Sequence, residues 1–388
     1  MKPIQDPNYF RMLKELQRNV LKNIGTNFTG ASPPEIFVGE YNYPNVFAGM
    51  LAPATELKEQ ITTPEAWYQN NFTINDILLQ RGSMIYSRFV QPVSSQQGKL
   101  KNIMQEVSMA KRAPLINFEL RKKPTINLTL DSVHKPIFNP APLQHATLES
   151  NPTTAKRVEY IVGDHELKAA DAIIDLHQHG FSITNIDRLL SAGLLGIKPQ
   201  RKLVPTKWSI TATDSTVSQH LIDELQYYPW IENIELYHGN YLGNHYEIIL
   251  IPRQWSFEVI EAKYQPNYNH IQFWQDYESH YRRKTYASSV VGGYYAVRIG
   301  IAEQLARRKK QASALALRQV KDYDVPCGVG ILRELTRDIM LNKPEEFRTL
   351  AEAFNTAQQR LLIPLSLYAE KSKLLQETSK QKSLQKYF

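Results

Sequence analysis

Apolar residues recur at steps of three and four from Asn8 to Ile24, where Phe10, Leu13, Leu16, Val20 and Leu21 mark one face of a helix that Gly25 ends. Two short β-prone runs follow, Ile36 to Gly39 and Val46 to Met50. The turn-forming cluster Asn42, Tyr43, Pro44 and Asn45 separates them, so a strand pair is predicted with Tyr41 and Tyr43 at its turn. Thr63 precedes Pro64 and Glu65 as a helix cap should, and Thr73 with Asp76 has the spacing of a capping box. Each predicts a short helix.

Ile116, Phe118 and Leu120 alternate with polar residues, as do Ile126, Leu128 and Leu130, which predicts a second hairpin around Lys122 to Thr125. His134 to Thr154 holds Pro136, Pro140, Pro142 and Pro152 with little periodicity, and reads as an extended surface connection. Ser182 caps a helix through Leu190 that ends near Gly193, and a second helix spans Ser215 to Tyr228 before Pro229. Leu203 to Thr213, between them, reads as extended. Glu232 to His238 and His245 to Ile251 flank Gly239, Asn240, Gly243 and Asn244, the clearest hairpin pattern in the chain.

Val290 to Arg318 carries the longest helical pattern: Tyr294, Val297, Ile301, Leu305, Ala312 and Leu315 share one face, and Arg307, Lys310 and Arg318 lie opposite. Lys343, Pro344 and Glu345 open a further helix bearing Phe347, Leu350, Phe354 and Leu361, broken at Pro364. Beyond Leu375 the apolar pattern stops. Gln376 to Ser383 offer a core nothing to hold, so a mobile end is predicted.

The 388 residues, 42% hydrophobic and 22% charged, suffice for two or three packing units and exclude a wholly disordered chain. No apolar run approaches the roughly 18 residues of a membrane helix, and the amino terminus mixes charges into its apolar residues, unlike a secretory leader. One cysteine, Cys327, allows neither an intrachain disulfide nor a cysteine-based zinc site, which fits a reducing interior. A cytoplasmic, nucleoid-associated location is expected. The net charge is +8, and between Tyr281 and Arg318 nine basic residues stand against Glu303 alone, so this segment holds the whole surplus.

Candidate chemistry is sparse. Gly292-Gly293 at a helix start could admit a phosphate, with Arg282, Arg283 and Lys284 just upstream, although no P-loop or dinucleotide glycine pattern is present. A solvated charged face is the alternative. Pro205 to Ser209 could give an aromatic and cationic surface through Trp208 and Lys207, but a β-prone setting favours Trp208 as a core aromatic. Trp255 poses the same choice and, with Phe257 and Val259 alternating, favours a strand with one buried face. Asp214, His220, Asp223 and Glu224 cluster in sequence, as a metal-dependent nuclease would need, yet helical spacing brings only His220 and Glu224 together. His177 and His179, two apart, diverge on a helix and do not suit a shared metal.

The last eight residues are Gln381, Lys382, Ser383, Leu384, Gln385, Lys386, Tyr387 and Phe388. One helical turn gathers Leu384, Tyr387 and Phe388 on one face, with Gln381 a turn earlier. The pattern resembles the peptide by which proteins dock on the DNA sliding clamp, PCNA: three apolar prongs for a groove and an amide that both donates and accepts. The alternative is a terminal aromatic pair tucked against the body.

Several stretches resemble the archaeal Nre family of DNA-repair proteins: Ser32-Pro33-Pro34 leading to Phe37-Val38-Gly39 and Tyr43-Pro44; Leu203 through Thr211; Trp255-Ser256-Phe257-Glu258; and Gly292-Gly293-Tyr294-Tyr295-Ala296. The similarity runs through nearly the whole chain. It implies an accessory factor in the DNA-damage response, recruited by a terminal clamp peptide. It also implies an Nre amino-terminal region over 1–285, with 134–154 as a possible internal connection, a carboxy-terminal helical region over 286–375 and a tail over 376–388. Many relatives carry a zinc-finger-type cysteine cluster that this sequence lacks, so zinc is not carried over, and no metal or cofactor is expected.

The expectation is therefore an α+β protein with mixed sheets built from hairpins, packed helices and a short disordered carboxy-terminal tail. Its clamp-docking residues are Gln381 to Phe388, and its DNA contacts come from Arg282, Arg283, Lys284, Arg307, Lys310 and Lys207. The alternatives are an enzyme acting on damaged DNA or a nucleotide, with unknown catalytic residues, and a structural adaptor without nucleic-acid affinity.

Overall fold

A computed structural model of the chain describes residues 15, 18, 21, 22, 24–53, 61–265, 270–281, 283–321 and 325–384, with 264, 265, 270 and 379–384 by backbone alone. The helix expected over Asn8 to Ile24 lies largely outside them. Packing divides the chain into two units, Met1–Val217 with Val325–Gly330, and Ser218–Asp324 with Ile331–Phe388.

The first unit holds strands β1 (Asn27–Ala31), β2 (Ile36–Val38), β3 (Asn45–Pro53), β4 (Met84–Pro92), β5 (Leu115–Leu120), β6 (Leu128–Thr129), β7 (Ile137–Phe138) and β8 (Pro140–Leu148). Its helices are α1 (Pro64–Gln69), α2 (Ile74–Gly82), α3 (Lys99–Met109), α4 (Lys156–Gly163), α5 (Ala169–Gln178) and α6 (Ile183–Ser191), and the chain leaves the unit within α7 (Thr206–Leu225). Six strands form one sheet in the order β1-β5-β8-β4-β3-β2, antiparallel except for β4 with β8, and β6 pairs with β7. The predicted strand pair is present as β2 and β3. Thr63 caps α1, and Thr73 with Asp76 completes a capping box on α2.

Two expectations fail here. The second hairpin does not form, because β5 pairs with β1 and β8, while the other run contributes only β6. His134 to Thr154 is no surface connection: it supplies β7 and the interior strand β8. Pro140 and Pro142 lie in it without an N–H to donate, and their carbonyls accept from the amides of Thr125 and Arg121.

The second unit holds β9 (Ile234–Tyr241), β10 (Asn244–Ile251), β11 (Ser256–Gln265), β12 (His270–Glu278), β13 (Ser313–Val320) and β14 (Glu345–Phe347) in the order β12-β11-β13-β10-β9-β14. The predicted hairpin is β9 and β10, and β11 runs parallel to β13. One face buries Leu236, Ile249, Ile260 and Leu315 beneath α10 (Leu350–Gln358), α11 (Leu365–Lys371) and α12 (Lys373–Leu384). On the other, Phe257 meets Tyr294 of α8 (Gly292–Arg308), and Gly239 lies under Ile339 of α9 (Gly330–Leu341). A sheet covered on both faces reads as a continuous apolar run, and every residue of β13 is buried.

The molecule is α+β, as expected. The helix predicted from Val290 to Arg318 instead ends at Arg308, where Lys309 turns left-handed, φ 50°, and the chain re-enters as β13. Glu345 to Phe347 form β14, and the following helix starts at Leu350 behind a Thr349–Glu352 capping box. The stretch from Gln376, read as mobile, continues α12 in backbone to Leu384.

Candidate nucleic-acid interface

The Phe37–Pro44 and Leu203–Thr211 stretches, more than 150 residues apart in sequence, meet in the first unit. Pro205 has no N–H to satisfy and suits a helix start, and the amides of Trp208 and Ser209 donate to its carbonyl at 2.8 and 2.9 Å. Thr206 Oγ1 accepts from the Val38 amide at 2.9 Å, and Lys207 Nζ reaches Asp131 at 3.1 Å and Glu40 at 3.5 Å. Burial lowers the Lys207 ammonium, but the Asp131 and Glu40 carboxylates together outweigh this and hold it above its ordinary value. These bonds bring Trp208 against Tyr43, ring centroids 5.3 Å apart. Both rings are 44% exposed and Tyr41 76%. Trp208 is therefore a surface residue on a helix, and the segment expected to be extended, Leu203 to Thr213, is helical from Thr206 onward.

Behind this surface lies a buried charge cluster. Arg81 and Lys135 both bind the Glu35 carboxylate, Lys135 at 2.7 Å, and Arg188 donates to the carbonyls of Pro34 and Ser108 at 2.5 and 2.7 Å. His134 Nδ1 lies 2.7 Å from the Lys135 carbonyl, and its ring stands edge-on to Phe37. A carbonyl only accepts, so Nδ1 carries the proton and Nε2 keeps a lone pair. Asp131 favours the charged imidazole, but burial outweighs it and holds the ring below its ordinary value, in the neutral form. Gly328, φ +86°, lets the chain close against this backbone, since a Cβ there would lie 2.9 Å from the His134 carbonyl carbon. Burial pushes the neighbouring Cys327 thiol up to about 12, which makes it a poor nucleophile.

Glu35, Arg81, Asp131 and His134 did not figure among the sequence candidates. One signal was available: Ile74, Ile77 and Leu78 place Arg81 on the apolar stripe of α2, where a charge needs a buried partner.

In the second unit most of the basic surplus is spent internally. Arg283 binds Asp276 at 3.1 Å, donates to the carbonyls of Tyr277 and Thr285 and lies over the Tyr294 ring. Arg298 is buried with Glu278 at 2.9 Å, Arg308 binds Glu235 at 2.5 Å, and Arg318 sits inside β13 on Glu261 and Asn244. Lys310 reaches Glu232 at 3.7 Å. Lys284, Arg307 and Lys309 are exposed, and Arg282 lies outside the described residues. Gly292 and Gly293 are buried, and the amides of Ser289 and Val290 just before α8 donate to Asp276 at 2.9 and 2.7 Å. Asp276 thus occupies amides of the loop that leads into α8.

Trp255 is buried and donates from Nε1 to Glu278 at 3.0 Å. On α7, His220 faces Glu224 at 3.5 Å, Asp223 accepts from Gln219 and Asp214 is buried in the other unit. His179 pairs with Asp175. Among the described residues no group of three or more His, Cys, Asp or Glu is placed to hold a metal. No helix among them is long and apolar enough to cross a membrane.

The terminal peptide follows a fixed helix. Glu258, fully buried, accepts from the Ser372 hydroxyl and from the amides of Lys373 and Leu374 at 2.8 and 3.2 Å, and Tyr277 bonds Glu377. Gln381 to Leu384 continue α12 in backbone, and Gln385, Lys386, Tyr387 and Phe388 lie outside the described residues.

Comparison with known proteins decides the lineage. The family model described as Archaeal Nre, N-terminal, matches residues 8–269, and Archaeal Nre, C-terminal, matches 278–387. This chain belongs to the archaeal Nre family. It is 33% identical to the DNA repair protein NreA of Haloferax volcanii over 362 residues, 90% of this chain and 86% of that one. It is 33% identical to the DNA repair protein NreB of Archaeoglobus fulgidus over 359 residues, covering 91% and 90%. It is 32% identical to NreA of the same organism over 363 residues, covering 91% and 88%. No solved structure matches this Nre chain.

Proposed function

We propose that this Nre protein is a DNA-repair factor brought to its substrate by the sliding clamp, through Gln381, Leu384, Tyr387 and Phe388. The relatives' names, all of DNA repair proteins, support the repair role. The order of residues at the end of the chain carries the docking: an amide, an aliphatic and two rings spaced for one groove. Each buried prong contributes roughly 1.5 to 3 kcal/mol before the cost of ordering the peptide, which suits an exchangeable contact. Glu258 anchors the first turn of α12, the helix that leads into the peptide. In this reading 1–285 and 286–375 form the DNA-facing body, 376–388 the hook, and the protein works at the nucleoid.

Removing residues 381–388 tests the proposal. Calorimetry should show clamp binding abolished and the melting temperature unchanged; undiminished binding overturns it.

A further inference from the structure

We propose that Tyr43 and Trp208 form a stacking platform for unpaired DNA bases, so that the body of the protein grips exposed single strand. The inference rests on the DNA-repair reading above and adds the form of DNA and the residues that take it. Two large rings, inclined by 47° with centroids 5.3 Å apart, stand 44% exposed beside the still more exposed Tyr41. Neither ring hangs on a loose loop. Asn42, left-handed at φ 63°, and the Asn45 amide bonding its carbonyl close the turn that bears Tyr43, while Val38–Thr206 and Glu40–Lys207 tie that turn to the helix bearing Trp208. The platform is therefore preorganised, which lowers the ordering cost of whatever covers it.

The chemistry around it selects the occupant. Every base has a flat π face that stacks on aromatic side chains with little regard to sequence, and a duplex hides those faces. Lys207, adjacent to Trp208 in the helix, is paired with the Asp131 and Glu40 carboxylates, and Glu40 belongs to the segment that leads to Tyr43, so the elements bearing the rings also carry donors and acceptors suited to the mixed edge of a base. An apolar peptide anchor would instead desolvate these three charges without giving them new partners. Lys202 is exposed and has no ion-pair partner among the described residues. Its neighbour Leu203 bonds the Val93 carbonyl, and the Val93 amide bonds the Pro44 carbonyl, so the backbone bearing this cation is tied to the turn bearing Tyr43, and a phosphate of a bound strand is its expected partner.

Fluorescence anisotropy on the full chain tests this with labelled oligothymidine, a duplex of the same length, and an oligothymidine carrying abasic sites. Trp208→Ala should weaken oligothymidine binding roughly five- to a hundredfold, Trp208→Phe should retain most of it, and duplex binding should not change. The abasic strand should bind the unaltered protein weakly and be insensitive to Trp208→Ala. Tyr43→Leu, on an exposed turn, repeats the test without touching the helix. Oligothymidine binding undiminished in Trp208→Ala and Tyr43→Leu overturns the platform, as does equal weakening on base-bearing and abasic strands. So does weakened association with a protein partner while the oligothymidine binds unchanged. Clamp affinity measured on the same variants keeps the two proposals apart: oligothymidine binding that ignores both substitutions, with normal clamp binding, refutes only the platform, and absent clamp binding with the expected oligothymidine response refutes only recruitment.

Discussion

Arg81 Nη1 lies 2.7 and 2.8 Å from the two oxygens of the Glu35 carboxylate, and both side chains are buried. Burial alone would raise the Glu35 carboxyl, but Arg81 and Lys135 outweigh it and hold it below its ordinary value. A buried ion pair is a weak source of net stability, whereas removing one partner strands the other's charge. Glu35→Gln leaves two cations facing a neutral amide and should cost about 3–5 kcal/mol. Arg81→Met should cost less, because Lys135 still serves the carboxylate. Urea unfolding followed by circular dichroism ranks the two, and the opposite order would refute the assignment.

His134 makes the first unit acid-sensitive. Its folded value lies below the ordinary 6.5 because burial disfavours the charged ring, with Lys207 and Arg81 opposing protonation and Asp131 favouring it. The unfolded chain therefore binds a proton near pH 6.5 that the folded chain refuses. Stability is full above that value and falls as the pH drops from about 6.5 toward the folded value. Glu258, raised by burial, has the opposite sign: its contribution is full below the ordinary 4.5 and is lost as the pH rises through the raised value. Melting curves should show a decline on acidification that His134→Asn flattens; equal slopes would exclude His134 as the source.

Adjacent cations at the end of α8 should behave differently. Arg308 holds the buried Glu235, while Arg307 and Lys309 are exposed and Lys310 faces a distant acid in solvent. If the basic segment binds DNA, Arg307→Glu and Lys309→Glu should weaken duplex binding and reduce its salt slope by about 0.9 for each phosphate no longer neutralised. Arg308→Ala should lower the melting temperature instead. A salt titration paired with a thermal scan separates these outcomes.

What sequence revealed, and what it hid, follows from range. The capping boxes, the β2–β3 pair and the β9–β10 hairpin were legible because their signals lie within a few residues of one another. The start of α7 was not. Ile210, Thr211 and Thr213 have strand-like propensities, and what fixes helix there is Thr206 accepting from Val38 far up the chain. The false continuation of α8 into β13 arose because Ala312 and Leu315 fall on its apolar face by count, while the stop is a left-handed Lys309 with no glycine to announce it. Within the candidate site, the interest of Lys207 and Trp208 could be read from sequence. Asp131, His134 and Lys135 could not, since they lie in the irregular segment between β6 and β7, and their partners Lys207 and Glu35 are far away in the chain.

The anchor of α12 yields the last expectation. Glu258 lies in β11, and its two carboxylate oxygens take the hydroxyl of Ser372 and the first free amides of the helix. Such caps are worth about 0.5–2 kcal/mol, too little to unfold a six-stranded sheet but enough to release one turn of helix. Glu258→Ala should therefore speed amide exchange across residues 373–384 while β9, β10 and β13 stay protected. Clamp affinity should change only a few-fold, because residues 381–388 are untouched and lose their launching point, not their prongs. Exchange that is unchanged over 373–384 would show that Leu374 packing and the Tyr277–Glu377 bond hold the helix without this cap.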